Sequence, residues 1–306
     1  MPYRKTFCGI GFEFPWALAY SLLPAIGYYE RNWRNLQLII SVPPTILIFA
    51  YYFMPESPRW LITQGRVEEA KVILQKAAKT NGKVWPSEDS NLQLDERKEN
   101  ADDGAVPQAS ILALFRTPNL LKNTLIQYFN WFTASFVYYA LTFNSGTLFP
   151  GNIYINTLIS GLIEFPAYAL CIALLYFLGR RFPLAFMYFL LGGSLLLSLA
   201  MPTPQSVLVM ATIGKFGAVC AFAIIYVQAA EIFPTVVRNT GIGTSSSIAR
   251  VGSVLAPIVG REVAKINRDL VIVIFAVVAL ISGALTLFLP ETNGKKLPDT
   301  IEEGKT

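Results

Sequence analysis

The chain has 306 residues, of which 53% are hydrophobic and only 15% are charged. A soluble protein of this length could not bury so much apolar surface in one core, so the composition excludes an ordinary water-soluble domain and favours a protein embedded in a lipid bilayer. The formal net charge of +5 is no indication of nucleic-acid binding, because no basic cluster stands on a soluble domain.

Eight stretches of the sequence are long enough to cross about 30 Å of hydrocarbon as α-helices. In chain order they cover residues 9–29, 36–54, 124–144, 153–178, 184–202, 206–231, 241–260 and 269–289. A helix satisfies its own backbone hydrogen bonds inside lipid. The sequence therefore predicts an all-α membrane protein built as a helix bundle.

One polar segment, residues 55–123, separates the second stretch from the third. Its residues 67–79 mix apolar and charged side chains at helical spacing. The charged tract 88–103 is typical of a solvated linker. We expect a linker with short amphipathic helices beside the inner membrane face, and a partner-binding role for this segment is the alternative.

An internal repeat indicates how the helices are organised. The segment 3–11 (YRKTFCGIG) is echoed by 237–243 (VRNTGIG), and 53–57 (FMPES) is echoed by 288–292 (FLPET). Both echoes stand about 235 residues apart and occur in the same order, which is typical of transporters built from two homologous halves. The counterpart of residues 124–236 would fall before the first residue. We therefore expect the chain to begin within the first half of a longer transporter.

The repeat and the polar segment together predict four regions. Residues 1–54 form the last two helices of the N-terminal half, 55–123 the cytoplasmic linker, 124–289 the six-helix C-terminal half and 290–306 a cytoplasmic tail. The side shared by both termini and the linker carries 18 Lys and Arg residues, against 5 on the other side. By the positive-inside rule, both termini of the chain are expected in the cytoplasm.

The residue types that the chain lacks restrict its chemistry. It contains no histidine and no glycine-rich loop of the Walker type, which excludes imidazole-based catalysis and nucleotide hydrolysis at such a loop. We expect no enzyme activity, no cofactor and no metal site. The remaining candidates are charged and aromatic residues inside apolar stretches, which by default mark a solute pathway.

Arg250 is the strongest candidate for a charge that binds a ligand. It shares a small or polar helical face with Gly243, Ser246, Ser253 and Pro257. A guanidinium on such a face would hold a carboxylate through two parallel hydrogen bonds. The alternative is a structural ion pair with Glu164 or another buried acid.

Aromatic residues and one lysine complete the candidate pathway. In the stretch 124–144 the aromatic residues recur at steps of three and four residues, so many of them share one helical face. Such a face could hold a quaternary ammonium by cation–π attraction, and the alternative is that the rings serve only for packing. Lys215 shares a face with Phe222 and Tyr226 and is therefore a candidate site residue. The alternative is that its head group reaches the outer surface of the membrane. The candidates in the stretch 124–144 are Trp131, Ser135, Tyr138 and Tyr139.

Motifs along nearly the whole chain carry a resemblance to a known family. They are 53–61 (FMPESPRWL), 151–156 (GNIYIN), 164–168 (EFPAY), 214–217 (GKFG), 230–240 (AEIFPTVVRNT), 289–292 (LPET) and 297–300 (LPDT). These segments resemble the organic-ion transporters of the solute carrier 22 family, within the major facilitator superfamily. The resemblance implies that the eight stretches are helices five to twelve of a twelve-helix transporter.

The resemblance also implies roles for individual residues. Trp131 and Tyr138 match aromatic positions that line the organic-cation site, and Tyr226 lies on the matching face of the tenth helix. Arg250 stands at the position where polyspecific cation transporters have an aspartate. An arginine at this position is more similar to the carnitine and anion branches. Inner-face gating is expected from Glu56, Arg59, Arg180, Glu231 and Arg238.

The sequence thus predicts a multi-pass transporter of the plasma membrane that moves small organic ions by alternating access. The expected substrate is an organic cation or a zwitterion such as carnitine, with the rings holding the cationic end and Arg250 the anionic end. The expected partners are this substrate and the lipid bilayer, without nucleic acid, and the coupling ion stays open. Two alternatives remain: an organic-anion transporter, or a truncated, transport-inactive membrane protein with an interaction role through residues 55–123.

Overall fold

The computed structural model describes residues 10–11, 13–51, 53–56, 58, 61, 66–83, 111–143, 151–234 and 237–294. Every regular element in these ranges is helical, which confirms the all-α prediction. The α-helices are α1 (Glu13–Tyr29), α2 (Trp33–Tyr51), α3 (Val67–Thr80), α4 (Pro118–Phe143), α5 (Ile153–Leu162), α6 (Glu164–Phe177), α7 (Arg181–Leu199), α8 (Pro204–Ile232), α9 (Arg238–Glu262) and α10 (Arg268–Thr286), with a 3-10 helix at Ile111–Phe115.

Within the residues that the structure describes, five spans are each long and apolar enough to cross a membrane. They are Ile153–Phe177, Arg181–Leu199, Pro204–Ile232, Arg238–Glu262 and Arg268–Thr286. Helices are also present at the other three predicted stretches, as α1, α2 and α4. The full count of eight spans stays a prediction.

The predicted stretch 153–178 is not one uninterrupted helix. It divides at Ile163 into α5 and α6. Pro166 explains the break, because it has no N–H to donate to the carbonyl of Leu162 and its ring crowds that carbonyl. The break places Glu164 in the first turn of a new helix.

The chain divides into two compact units, which are described separately. The smaller unit, Glu30–Pro107, contains α2 and α3. The larger unit comprises Met1–Tyr29 and Gln108–Thr306. Within the larger unit, α4 packs against α8, α9 and α10, α7 packs against α8 and α10, and α1 packs against α5 and α6. The predicted region boundaries at residues 54, 123 and 289 stay predictions.

Close backbone approach and interhelical hydrogen bonds hold α4 at the centre of the larger unit. A Cβ atom at Gly252 of α9 would lie only 2.7 Å from the carbonyl oxygen of Phe132 in α4, so a glycine is required at this crossing. Asn130 donates to the Thr286 hydroxyl of α10 at 2.9 Å. Small residues and polar side chains therefore join these helices, as is usual inside a membrane.

The start of α8 is determined by its N-terminal cap. The Thr203 side chain accepts a hydrogen bond from the backbone N–H of Ser206, and the Ser206 side chain accepts one from the Thr203 N–H. Pro204 occupies the first helical position, where its missing N–H has no consequence. This cap fixes where α8 begins, and so which of its residues face α4.

Candidate functional site

Predicted aromatic residues from α4 and α8 meet in the larger unit. The Trp131 and Tyr226 ring centroids lie 4.4 Å apart in an edge-on arrangement. The ring of Phe222 lies 5.7 Å from that of Tyr138 and 5.7 Å from that of Tyr226. We call Trp131, Tyr138, Phe222 and Tyr226 the aromatic wall. It extends from Trp131, which is 1% exposed, to Tyr226, which is 37% exposed.

Two other predicted residues lie beside this wall on α4. Tyr139 is half-buried, packs edge-on against Tyr138 at 5.3 Å and stacks on Phe143 at 5.4 Å. Ser135 is buried, about one helical turn before them. One helix therefore supplies four of the predicted residues.

A fully buried carboxylate, Glu164, is attached to the aromatic wall. The Tyr138 hydroxyl donates to its Oε1 at 2.7 Å, and the Tyr168 hydroxyl donates to its Oε2 at 3.1 Å. As the first residue of α6, Glu164 also lies at the positive end of a helix dipole. The sequence suggested Glu164 only as a partner of Arg250, whereas the structure connects it to the wall.

Lys215 lies within the same cluster. Its Nζ is 4.0 Å from Glu164 Oε1, lies 3.4 Å from the centroid of the Tyr138 ring and donates to the Thr142 hydroxyl. The residue is 3% exposed, so the alternative of a head group at the outer surface is wrong. A single buried charge loses its hydration, which is strongly unfavourable. The pairing of the Lys215 ammonium with the Glu164 carboxylate offsets part of this loss.

Helix α1 contributes residues that the sequence analysis missed. The Trp16 indole donates to the Tyr138 hydroxyl at 3.1 Å, and Lys215 Nζ lies 5.5 Å from the centroid of the Tyr20 ring. Glu13 lies near enough to Glu164 for the two carboxylates to influence each other electrostatically. The positions 13, 16 and 20 share one face of a helix. This spacing of an acid and two aromatic residues is the sequence signal that could have indicated their place in the site.

Arg250 is exposed on α9 and stays close to the wall. Its guanidinium lies near enough to the Tyr226 phenol to interact with it electrostatically. In the described part of the chain, Arg250 has no salt bridge within 4.0 Å. Glu164 is paired with Lys215 instead, so the structural pair of Arg250 with Glu164 is not formed. Arg250 thus places a positive charge, without a salt bridge to the described residues, beside the exposed end of the wall.

Two of the predicted gating residues form a salt bridge. Arg180 Nε lies 2.9 Å from Glu231 Oε2, and Arg180 Nη2 donates to Glu231 Oε1 at 3.0 Å. The Thr292 hydroxyl also donates to Glu231, and Arg180 Nη1 donates to the Asn293 side chain at 2.6 Å. The bridge therefore joins the α6–α7 turn and the end of α8 to the segment that follows α10.

Glu291 completes this cluster, although it was not among the predicted gating residues. Its carboxylate accepts hydrogen bonds from the backbone N–H groups of Arg180 and Arg181, both at 3.0 Å, and from those of Thr292 and Asn293. Burial raises the pKa of Glu291, but these four backbone donors outweigh it and hold the pKa below its ordinary value. The echo of 53–57 (FMPES) by 288–292 (FLPET) was the available signal. We call Arg180, Glu231, Glu291, Thr292 and Asn293 the latch cluster.

The other predicted gating residues lie elsewhere. Arg238 Nε donates to the carbonyl oxygen of Phe233, within the turn between α8 and α9. Glu56 is exposed in the smaller unit, and Arg59 lies outside the described residues. In the described part of the chain, Arg180 and Glu231 are therefore the one pair of predicted gating residues that a salt bridge joins.

The fold of the chain is similar to that of solved transporter structures. The proton:xylose symporter XylE, a member of that superfamily, matches with a TM-score of 0.63 at 20% identity over 95% of this chain and 65% of its own. A D-xylose-proton symporter matches with a TM-score of 0.61 at 18% identity over 93% and 64%. The chain therefore shares its fold with these two symporters.

The chain belongs to the sugar (and other) transporter family, whose sequence model matches residues 8–303. Its relatives include the human organic cation/carnitine transporter 2, 40% identical over 98% of this chain and 53% of that protein. The organic cation transporter protein of Drosophila melanogaster is 39% identical over 98% and 56%, and human solute carrier family 22 member 2 is 36% identical over 99% and 54%.

These relatives confirm the predicted resemblance to the solute carrier 22 family. The chain spans about half the length of the curated relatives that it matches. The family match and the apolar helices together show that the chain is a multi-pass membrane protein.

Proposed function

We propose that this chain carries the binding site of a transporter that moves small organic ions across the plasma membrane by alternating access. Two of its relatives are named for organic cations, one of them also for carnitine, which supports this class of substrate. Both termini of the chain lie in the cytoplasm in this proposal, as the distribution of Lys and Arg indicates.

The observation that carries the proposal is the convergence of the aromatic wall on the carboxylate of Glu164. A substrate ammonium is attracted by the faces of aromatic rings and by a buried negative charge, and both are present at Tyr138. Phe222 and Tyr226 extend the same surface from Tyr138 toward the exposed side of the unit. The wall with Glu164 binds the cationic end of the substrate.

Arg250 binds the other end of the substrate. It lies near the exposed end of the wall and has no ion-pair partner in the described ranges, which suits a guanidinium that takes its carboxylate from a ligand. A zwitterion with an ammonium and a carboxylate, such as carnitine, satisfies both ends. The positive charge of Arg250 also favours the second candidate function, transport of organic anions.

The latch cluster controls access to this site from the inner face. Its salt bridge and hydrogen bonds connect three segments that are far apart in the chain, and these contacts must break when the helices move apart. Interfaces of this kind have two discrete arrangements, as alternating access requires.

The test compares carnitine with choline, which carries the same trimethylammonium group without the carboxylate. Binding of each to the purified protein in lipid nanodiscs is measured for the wild type, Arg250→Ala and Tyr138→Ala. Loss of a charge-assisted contact of about 2–3 kcal/mol should weaken carnitine binding roughly 30- to 150-fold in Arg250→Ala and leave choline almost unchanged. Tyr138→Ala should weaken both alike, by about 1–2 kcal/mol.

Arg261→Ala is the matched control, since Arg261 is an exposed arginine at the far end of the same helix. Equal weakening of carnitine and choline by Arg250→Ala would contradict the assignment of Arg250 to the carboxylate. Tight binding of a simple carboxylate, without any binding of choline, would favour the organic-anion candidate. Binding of neither class would reject the proposed function.

A further inference from the structure

We infer that Lys215 is a built-in substitute for the substrate ammonium, and that an ammonium substrate binds by displacing it. This inference rests on the proposed function for the cationic end of the site. It assigns to Lys215 the role of a specificity-determining competitor within the protein, in place of a direct contact to substrate.

The surroundings of Lys215 Nζ are those expected of a bound ammonium. The Tyr138 ring face lies 3.4 Å away, within the range of a cation–π contact, and the Tyr20 ring lies at 5.5 Å. The Thr142 hydroxyl accepts its hydrogen bond, and the Glu164 carboxylate supplies the compensating charge at 4.0 Å. Ring, hydroxyl and carboxylate form one cation position, and Lys215 fills it.

A second cation cannot share this position with Lys215. At 3.4 Å from the ring centroid, Nζ is in contact with the Tyr138 face and leaves no space for another ammonium there. Two like charges at such a distance also repel strongly away from water. Occupation by Lys215 and occupation by substrate are therefore mutually exclusive.

A small cavity beside Lys215, lined by both polar and apolar side chains, offers its head group another position. Asn156, Ser160 and Thr212 line this cavity together with Lys215, and its volume of about 20 Å³ has room for about one water molecule. Rotation of the lysine toward these oxygen atoms would vacate the Tyr138 ring and keep Nζ hydrated. The carboxylate of Glu164 would then be compensated by Lys215 in the empty site and by the substrate in the loaded one.

The experiment is chemical rescue with methylammonium, which reproduces the lysine head group. Thermal unfolding of the purified protein in nanodiscs is followed while methylammonium chloride is titrated, with sodium chloride as the salt control. Lys215→Met, which keeps an unbranched side chain but lacks the terminal ammonium, should bind methylammonium about tenfold tighter than the wild type, because the competitor is gone. Lys215→Arg retains a cation and should behave as the wild type does.

The double variant Lys215→Met with Glu164→Gln tests whether the gain arises at this position. It lacks both buried charges, and it should lose the tighter binding of methylammonium. Unchanged or weaker binding by Lys215→Met alone would overturn the inference and leave Lys215 as a structural partner of Glu164. Should Lys215→Met be unstable, its recovery in methylammonium and not in sodium would support the inference, and failure in both would overturn it.

These outcomes are separable from the proposed function. Rescue of Lys215→Met by methylammonium, without binding of choline or carnitine to the wild type, would support the cation position and reject the transport substrate. Binding of carnitine to the wild type, without any gain in Lys215→Met, would do the reverse.

Discussion

Glu291 is expected to hold the latch cluster together, and Glu291→Gln is the change that tests it. The carboxylate accepts four backbone N–H groups, two of them at the start of α7 and two in its own segment. Glutamine has nearly the same size but only one carbonyl oxygen and no charge. The change therefore removes the charge-assisted hydrogen bonds without opening a cavity.

The magnitude follows from these contacts. A hydrogen bond to a charged group contributes about 1.5–3 kcal/mol. Since the Glu291 side chain is only partly buried, water replaces some of the lost bonds, and the glutamine carbonyl keeps at least one of them. We expect the variant to lose about 2–3 kcal/mol of local stability, well below the sum over four bonds.

Hydrogen exchange at the amides of Arg180 and Arg181 measures this loss directly. These amides should exchange roughly 30- to 150-fold faster in Glu291→Gln than in the wild type. Glu262→Gln is the control, because among the described residues Glu262 forms an exposed salt bridge with Lys265, in which the Glu262 side chain is 56% exposed. Such bridges contribute about 1 kcal/mol or less, so exchange at 180–181 should not change.

The pH dependence gives a second check on Glu291. Because its folded-state pKa lies below the ordinary value of 4.5, its contribution is complete above that pH and is lost as the pH falls through the folded-state pKa. The wild type should therefore lose protection at residues 180–181 in acid, and Glu291→Gln should lack this component. Unchanged exchange in the variant at neutral pH would refute the reasoning.

Two further predictions concern topology and packing. An impermeant thiol reagent added to intact cells should label Gln205→Cys and leave Ser87→Cys unlabelled, and the opposite result would invert the topology. Gly252→Ala should lower the thermal stability by about 1–3 kcal/mol, because its Cβ would lie 2.7 Å from the Phe132 carbonyl oxygen. Gly243→Ala, with nothing within 4 Å of its Cβ, is the matched control, and equal stability of the two variants would contradict the packing argument.

The sequence by itself determined the class of this protein and the order of its helices. Hydropathy is a property of consecutive residues, so spans such as 184–202 and 269–289 could be predicted from the sequence within a few residues of α7 and α10. The echo of 53–57 at 288–292 indicated the two-halved transporter, and the motifs supported its family. The break at Ile163 was missed, although Pro166 was a local signal for it.

Only the tertiary structure decided which of the buried charges meet. Arg250, Lys215 and Glu164 were all recognised as charges inside apolar stretches, but nothing in their order along the chain shows which helices place them side by side. The structure pairs Lys215 with Glu164 and leaves Arg250 near Tyr226. The physical reason is that the strength of a charge pair depends on distances of a few ångströms and on burial, and both are set by helix packing.

The same limit applies to the contributions of α1 and of the segment after α10. Trp16 lies 122 residues from Tyr138 in the chain, and Glu291 lies 111 residues from Arg180, yet each pair is joined by a hydrogen bond. Periodicity shows which residues share a face of one helix, and the sequence could therefore predict the aromatic stripe on α4. It could not predict which other helix supplies the opposite face, because that choice is made by the packing of all the helices together.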